Sequence, residues 1–182
     1  MTKLQIGIMG SAADLKYSNE ALSFAQRLGR LIAESNNILV YGAEKDYTSL
    51  STEAAKVASS YGGITVGVAG GKTGIIYGNY KPTILINSGL EVGGGREFTL
   101  VSSCDVIIVI AGGSGTLNEI CVAYQAGIPI ITIDRFSGWA RKLTNRYLDN
   151  RKRIKCLKAS SEEEALKIAI KEGEKKYENS KC

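Results

Sequence analysis

The chain reads as an α/β protein built on a doubly wound parallel sheet in three layers. Three observations carry that reading. Short β-branched runs recur along the sequence and alternate with amphipathic stretches of helical spacing. The most apolar run, Val106-Ile107-Ile108-Val109-Ile110, shows no polar alternation, as a strand buried on both faces requires. It passes directly into Ala111-Gly112-Gly113-Ser114-Gly115-Thr116 and then into a segment where Leu117, Ile120, Cys121 and Tyr124 recur at helical spacing. Right-handed crossovers between repeated units of this kind place helices on both faces of one sheet.

In chain order, residues 4–9 form the first strand, and Gly10-Ser11-Ala12 turn the chain out of it. Ser18 caps a helix whose Leu22, Ala25, Leu28, Leu31 and Ile32 share a face. Residues 38–41 make the second strand, 48–60 the second helix and 63–69 the third strand. The polar, glycine-laden segment 70–80 is expected to be a mobile loop over a ligand site. A short strand at 83–87 and a short helix at 95–103 precede the apolar strand. Beyond it come a strand at 129–134, a helix at 138–148, an edge strand at 153–157 and a last helix reaching Lys176. That helix starts at Ser160 or Ser161, where Ser161 and Glu164 can form a capping box. No repeat, linker or low-complexity block interrupts the pattern, so residues 1–182 are expected to form one domain.

A chain of 182 residues can bury a substantial core without disulfides or metal. Mean hydropathy is near zero, and no apolar run approaches the roughly 20 residues of a membrane span. The first residues enter a strand without a signal-peptide pattern, so a cytoplasmic protein with no membrane partner is expected. The four cysteines are scattered, no C-x-x-C occurs, and histidine is absent. Cys/His zinc sites and histidine-dependent triads are therefore excluded, and no metal site is expected. Cys104 and Cys121 are expected to pack as small hydrophobes. From Arg135 onward there are 14 Lys and Arg against 7 Asp and Glu, which places the chain's +5 excess in the last quarter. Without aromatic interleaving or a recognised motif, this reads first as a solvated basic face of the terminal helices, with nucleic-acid binding as the minor reading.

A strand, a glycine turn and a helix start in that order build an anion site. The first helical N–H groups have no internal partner, the helix dipole favours negative charge, and glycines let backbone approach the ligand. The expected phosphate-binding residues are Gly112, Gly113, Ser114, Gly115 and Thr116, the last adding a hydroxyl. Gly10 and Ser11, after the first strand, are weaker candidates. The pattern is neither G-x-G-x-x-G nor a Walker A loop. Arg96 opens the helix before the apolar strand, and Glu119 lies three residues beyond Thr116. An antiparallel helix and strand bring Arg96 back beside Glu119. Such an Arg can clamp a phosphate or carboxylate at two points. The Glu can orient a sugar hydroxyl or stabilise an oxocarbenium-like centre, or pair structurally with the Arg. Asp14, Lys16, Glu44 and Lys72, near other strand ends, each carry a weak signal.

At these residues the chain resembles the lonely-guy (LOG) and molybdenum-cofactor-carrier group of Rossmann-like proteins, some labelled "possible lysine decarboxylase". The group's signature is an Arg, a helix, a strand and P-G-G-x-G-T-x-x-E. It reads here Gly95-Arg96-Glu97, then Cys104-Asp105-Val106 through Ile110, then Ala111-Gly112-Gly113-Ser114-Gly115-Thr116-Leu117-Asn118-Glu119. The likeness runs from Gly7 to about Asp134. In LOG enzymes the matching Arg and Glu act in cleaving the N-glycosidic bond of a cytokinin nucleoside monophosphate, and the glycine turn holds its 5′-phosphate. By resemblance, those catalytic roles fall on Arg96 and Glu119, and the phosphate falls to Gly112 through Thr116.

Departures are visible. Ala111 stands for the group's Pro, Glu97 for a basic or amide residue, Asn118 for a common acid, and Tyr41-Gly42-Ala43-Glu44-Lys45-Asp46 for a Y-G-G-G loop. The compact segment 120–129 looks more like the carrier-type branch. The resemblance thus implies a protein that binds a phosphorylated small molecule, a nucleotide or a pterin such as the molybdenum cofactor, without turning it over. The alternative is a LOG-type nucleoside monophosphate phosphoribohydrolase. A second alternative is a nucleic-acid-associated protein using the basic C-terminal quarter. In the hydrolytic case Glu119 supports charge at the anomeric carbon or activates water, and Arg96 keeps it ionised at neutral pH. Lysine decarboxylation has no support, since no Lys sits in a Schiff-base context. A homodimer or higher homo-oligomer is expected, partly by analogy and partly because Leu100, Val101, Ile120, Val122 and Tyr124 look like surplus apolar surface.

Overall fold

A computed structural model describes residues 3–91 and 95–178. Seven strands alternate with helices: β1 (Gln5–Gly10), α1 (Asn19–Glu34), β2 (Ile38–Ala43), α2 (Leu50–Ser60), β3 (Ile64–Ala69), β4 (Ile84–Asn87), α3 (Gly95–Ser102), β5 (Val106–Ile110), α4 (Ser114–Ala126), β6 (Ile130–Ile133), α5 (Trp139–Leu143), β7 (Leu157–Ala159) and α6 (Glu162–Glu178). A 3-10 turn at Ala13–Leu15 follows β1. All the strands run parallel in one sheet of order β4-β3-β2-β1-β5-β6-β7. The winding direction reverses between β1 and β5, so their carboxyl ends diverge into a crevice. This is the expected doubly wound, Rossmann-like sheet.

The alternation of side chains across each strand builds the three layers. Ile6, Ile8, Leu39, Ile108 and Ile110 face α1, α2 and α6, where they meet Phe24, Leu28, Leu50, Ala54 and Ala165. Met9, Val40, Ile107 and Val109 face the other way, against Leu100, Val101, Ile120, Ala123, Tyr124 and Ala140 of α3, α4 and α5. Each of the five side chains of β5 is fully buried, as its unbroken apolar run demands. Gly29 lets α1 and α2 touch, since a Cβ there would lie 2.1 Å from the Ala54 carbonyl oxygen.

Several expectations change. The helix expected at 138–148 ends at Leu143, because Thr144 is extended and Asn145 takes a φ of 58°. Asn145 N–H then donates to Cys156 O, and Cys156 N–H to Arg146 O, closing a lobe. That closure occupies Cys156, so β7 begins at Leu157 and not at 153. Segment 70–80 is tied down, with Tyr77 N–H on Glu44 O at 2.8 Å and Tyr80 OH on Ala55 O at 3.1 Å. Cys104 is buried, but Cys121 is exposed on the outer side of α4. Leu100, Val101, Ile120 and Tyr124 belong to the core of the protomer, so they cannot form the surplus surface assigned to them. The basic excess is not on the last helix either, since α6 carries six Glu against four Lys. No described helix is long and apolar enough to cross a membrane.

Candidate active site

The crevice between β1 and β5 holds a cavity of about 460 Å³. Its floor is the turn after β5. Ala111 and Gly112 take φ values of 56° and 97°, which reverse the chain within two residues. Proline, locked near −65°, cannot occupy position 111 in this turn, so Ala111 in place of the group's Pro matches the local backbone. Ser11 Oγ accepts the Gly112 N–H at 2.9 Å. From the far side, the Trp139 and Ala140 N–H groups donate to the carbonyls of Gly112 and Ala111 at 3.0 and 2.9 Å. The turn is therefore clamped by β1 on one side and by the start of α5 on the other.

The clamp divides the candidate residues. Gly113, Ser114, Gly115 and Thr116 line the cavity, as does Gly10. Gly112 and Ser11 bond each other behind the wall, so their sequence-based assignment as contacts becomes a supporting position. Gly112 also has to be glycine, because a Cβ there would lie 2.4 Å from the Thr116 side chain. Gly113 is the N-cap of α4 and provides no side-chain cap, and the first turn of α4 has no acid. The first turn of α4 therefore lines the cavity with no side chain of its N-cap accepting its N–H groups.

Arg96 and Glu119 are brought to the same cavity, one from α3 and the other from α4. Arg96 is 3% exposed, and it lies across the backbone of Gly42, where a Cβ would sit 2.1 Å from Nη1. Its Nη2 pairs with Glu44 Oε1 at 2.8 Å and with Glu97 Oε1 at 3.1 Å. Among the described residues, Nε and Nη1 make no hydrogen bond. Burial opposes the guanidinium charge, but Glu44, Glu97 and Glu119 outweigh it and hold the Arg96 pKa above its ordinary value. Nη2 already serves two carboxylates, which leaves Nε and Nη1 as the donors through which Arg96 could hold a ligand.

Glu119 departs further from expectation. Burial pushes its carboxyl up to about 8, opposed by Arg96 and reinforced by Glu44 and Glu97. At neutral pH it is mainly protonated. One guanidinium shared among three carboxylates does not keep the third ionised. Glu44 was a weak candidate and Glu97 only a departure from the group's pattern, yet both are first partners of Arg96. The legible signal was Gly42, a residue without a side chain two positions before an acid at a strand end. Asp14 and Tyr47 also line the cavity. No residue of segment 70–80 lines it, so the expected lid is a side wall of β2 and β3.

Comparison with known proteins agrees with this fold. Over 127 residues, 70% of this chain and 78% of the relative, it is 32% identical to an uncharacterized protein of Archaeoglobus fulgidus. Its fold is similar to that of the molybdenum cofactor binding protein of Rippkaea orientalis, with a TM-score of 0.76 and 27% identity over 94% of this chain and 97% of the other. The molybdenum cofactor carrier protein of Chlamydomonas reinhardtii gives a TM-score of 0.77 and 24% identity, covering 94% of this chain and 98% of that one. The resemblance to the LOG and carrier superfamily therefore holds. The model of the SLOG cluster4 family matches residues 3–166, a span that includes every residue of the cavity, and the chain belongs to that family.

Proposed function

We propose that the chain binds a phosphate-monoester ligand of nucleotide or molybdenum-cofactor type, with the phosphate at the start of α4. The observation that carries this reading is the uncapped N-terminus at Gly113, opening into a cavity at the switch point of the sheet. Arg96 is mostly neutralised by its glutamates, so the helix end is the stronger anion locus. The rest of the wall carries Asp14, Glu44, Glu97 and Glu119. Such a wall suits the donor-rich end of an aminopurine or pterin, whose amino and ring N–H groups require acceptors. The two molybdenum-cofactor proteins of similar fold favour a pterin among these ligands. Mass spectrometry of small molecules released from purified protein tests the reading directly. A phosphorylated heterocycle is expected, retained by wild type and lost from Gly113→Val. Equal AMP affinity in two well-folded proteins, wild type and Gly113→Val, would overturn the phosphate assignment.

One observation favours the hydrolytic alternative. Glu119, held protonated near neutral pH one turn beyond the cavity's glycines, is a proton donor suited to a departing base. In that case AMP or a cytokinin monophosphate gives free base and ribose 5-phosphate, and Glu119→Gln abolishes the release. No turnover across a nucleotide panel removes this alternative and leaves binding alone. Self-association also remains part of the proposal, with a different surface: Phe98 and Leu90 are large, exposed apolar residues on and before α3. Light scattering is expected to give about twice 19.5 kDa, and Phe98→Glu to return the mass to that of one chain.

A further inference from the structure

The lobe between α5 and β7 carries a charge distribution that the ligand cavity does not use. Residues 141–158 contain eight Lys and Arg and one acid, Asp149. The segment supplies +7 to a chain whose net charge is +5, so everything outside it sums to −2. All eight cations are exposed. Arg151 pairs with Asp149 and Lys158 with Asp134. Among the described residues, no carboxylate pairs with Arg141, Lys142, Arg146, Lys152, Arg153 or Lys155.

These charges stand on fixed backbone. Residues 145 and 146 bond to Cys156, Arg153 N–H donates to Tyr124 OH at 3.1 Å, and Tyr124 OH donates to Asp149 at 2.6 Å. Leu148 and Ile154 pack into the core, which holds the polar side outward. One end of the lobe is α5, bonded to the glycine turn; the other is Arg153, whose Nη1 reaches Gln125 O near the end of α4. The strip thus follows α4, whose 13 residues correspond to about 20 Å at 1.5 Å per residue. Beside it runs a groove of about 340 Å³ lined mainly by Leu117, Cys121, Trp139, Leu143 and Leu148, with Asp149 at its edge paired to Arg151, and with Lys142 Nζ 4.5 Å from the Trp139 ring centre.

We propose that this strip and groove bind single-stranded nucleic acid, the phosphodiester backbone on the cations and a base against Trp139. A file of unpaired cations beside an aromatic, apolar slot is what a single strand requires. An acidic protein surface fits less well, because protein interfaces centre on apolar anchors and exclude charge from the middle. A membrane fits less well too, since Tyr147 is the one exposed large apolar side chain of residues 141–158, and Leu143, Leu148 and Ile154 are partly buried against the core. Three of the unpaired cations are arginines, whose planar fork matches phosphate oxygens. The sequence showed the basic excess of the C-terminal quarter but not that its unpaired cations fall on one lobe beside Trp139.

The test uses the full-length protein and labelled 20-nucleotide single strands of RNA and DNA, with a duplex for comparison. Anisotropy is expected to show micromolar binding at 50 mM salt, with a slope of log affinity against log salt between about −2 and −4. Reversing Arg146, Lys152 and Lys155 to Glu should lower affinity at least tenfold and flatten that slope. Reversing Lys45, Lys72 and Lys81 should change neither. Trp139 is the chain's one tryptophan, so its fluorescence reports on the groove and is expected to be quenched by single strands more than by duplex. RNA and DNA binding differently identifies the source of the strand. The proposal is overturned by no binding at 50 mM salt, by equal binding of the Arg146/Lys152/Lys155 variant, or by a duplex that binds and quenches as well as single strands. Displacement by polyglutamate at equal charge concentration would assign the strip to an acidic protein, and capture by anionic vesicles to a membrane.

Discussion

Helices α1 and α2 begin at serines, whereas α4 begins at a glycine. Ser18 Oγ accepts the Ala21 N–H and Ser49 Oγ the Thr52 N–H, each at 3.1 Å, so both helix ends are closed within the chain. Both also have a glutamate in the first turn, Glu20 and Glu53, to meet the positive end of the dipole. α4 has neither cap nor acid, although it starts at the same edge of the sheet. A closed helix end is worth about 1 kcal/mol to a fold. The short α5 also starts at a glycine without a cap, but only α4 opens onto the cavity, and under the proposed binding the phosphate would complete its end. Two of the cavity's carboxylates, Glu44 and Glu97, are instead gathered on Arg96.

Breaking that gathering should have the largest effect. Arg96→Met leaves Glu44, Glu97 and Glu119 without their shared cation in a buried setting. Removing one partner of such a cluster costs about 3–5 kcal/mol. Chemical denaturation at pH 7 is expected to show that loss. A loss below about 1 kcal/mol at pH 7 would mean that the cluster is solvated and does not organise the site.

The second prediction concerns the proton on Glu119. Its carboxyl rises from 4.5 to about 8 in the folded chain, so between those values the folded protein holds a proton that the unfolded chain has released. The associated stability is complete below pH 4.5 and falls as pH rises towards 8. With no histidine in the chain, few other side chains titrate in this window. Glu119→Gln should flatten the profile, measured as urea midpoints at pH 5, 6.5 and 8. A wild-type profile already flat would place Glu119 in water and remove its role as a proton donor.

These two predictions rest on contacts that the sequence showed unevenly. The sheet was legible because β5 is uniformly apolar and the flanking helices keep one apolar face, which local pattern alone reports. The glycine turn was legible because three glycines at a strand end have few other uses. The partners of Arg96 were not. Glu44 lies 52 positions away and reaches the guanidinium only through the pairing of β2 with β1, a register that no local pattern contains. The pKa of Glu119 depends on the same three-dimensional charge count. Likewise the lobe at 144–156 was read as helix and strand because its apolar residues, Leu148 and Ile154, recur plausibly for either. The bond from Asn145 to Cys156, which decides its shape, is tertiary.

Converting α4 to the closed type sharpens the comparison at smaller cost. Gly113 has a φ of −97°, which any residue adopts, and an added Cβ would meet only the flexible end of Leu15 at 2.6 Å. Gly113→Asp should therefore fold, cap α4 with its own carboxylate and gain a few tenths of a kcal/mol. The same carboxylate would occupy the phosphate position and repel the ligand. Isothermal titration with AMP is expected to show at least a tenfold loss, about 1.4 kcal/mol, in a protein that melts no lower than wild type. Unchanged affinity would place the phosphate elsewhere in the cavity.

The opposite conversion gives the smallest effect and completes the comparison. Ser18→Ala opens α1 as α4 is open, on a helix end that lines no part of the cavity. Losing the bond to the Ala21 N–H should cost about 1 kcal/mol, read as a shift in urea midpoint, with AMP affinity unchanged. If the closed and open ends differ only in what accepts their N–H groups, Ser18→Ala must move stability alone and Gly113→Asp must move binding. A Ser18→Ala variant that also lost ligand would show that the cavity senses the stability of the whole α1 side. The contrast between the two helix starts would then reflect global stability and not the local chemistry of Gly113.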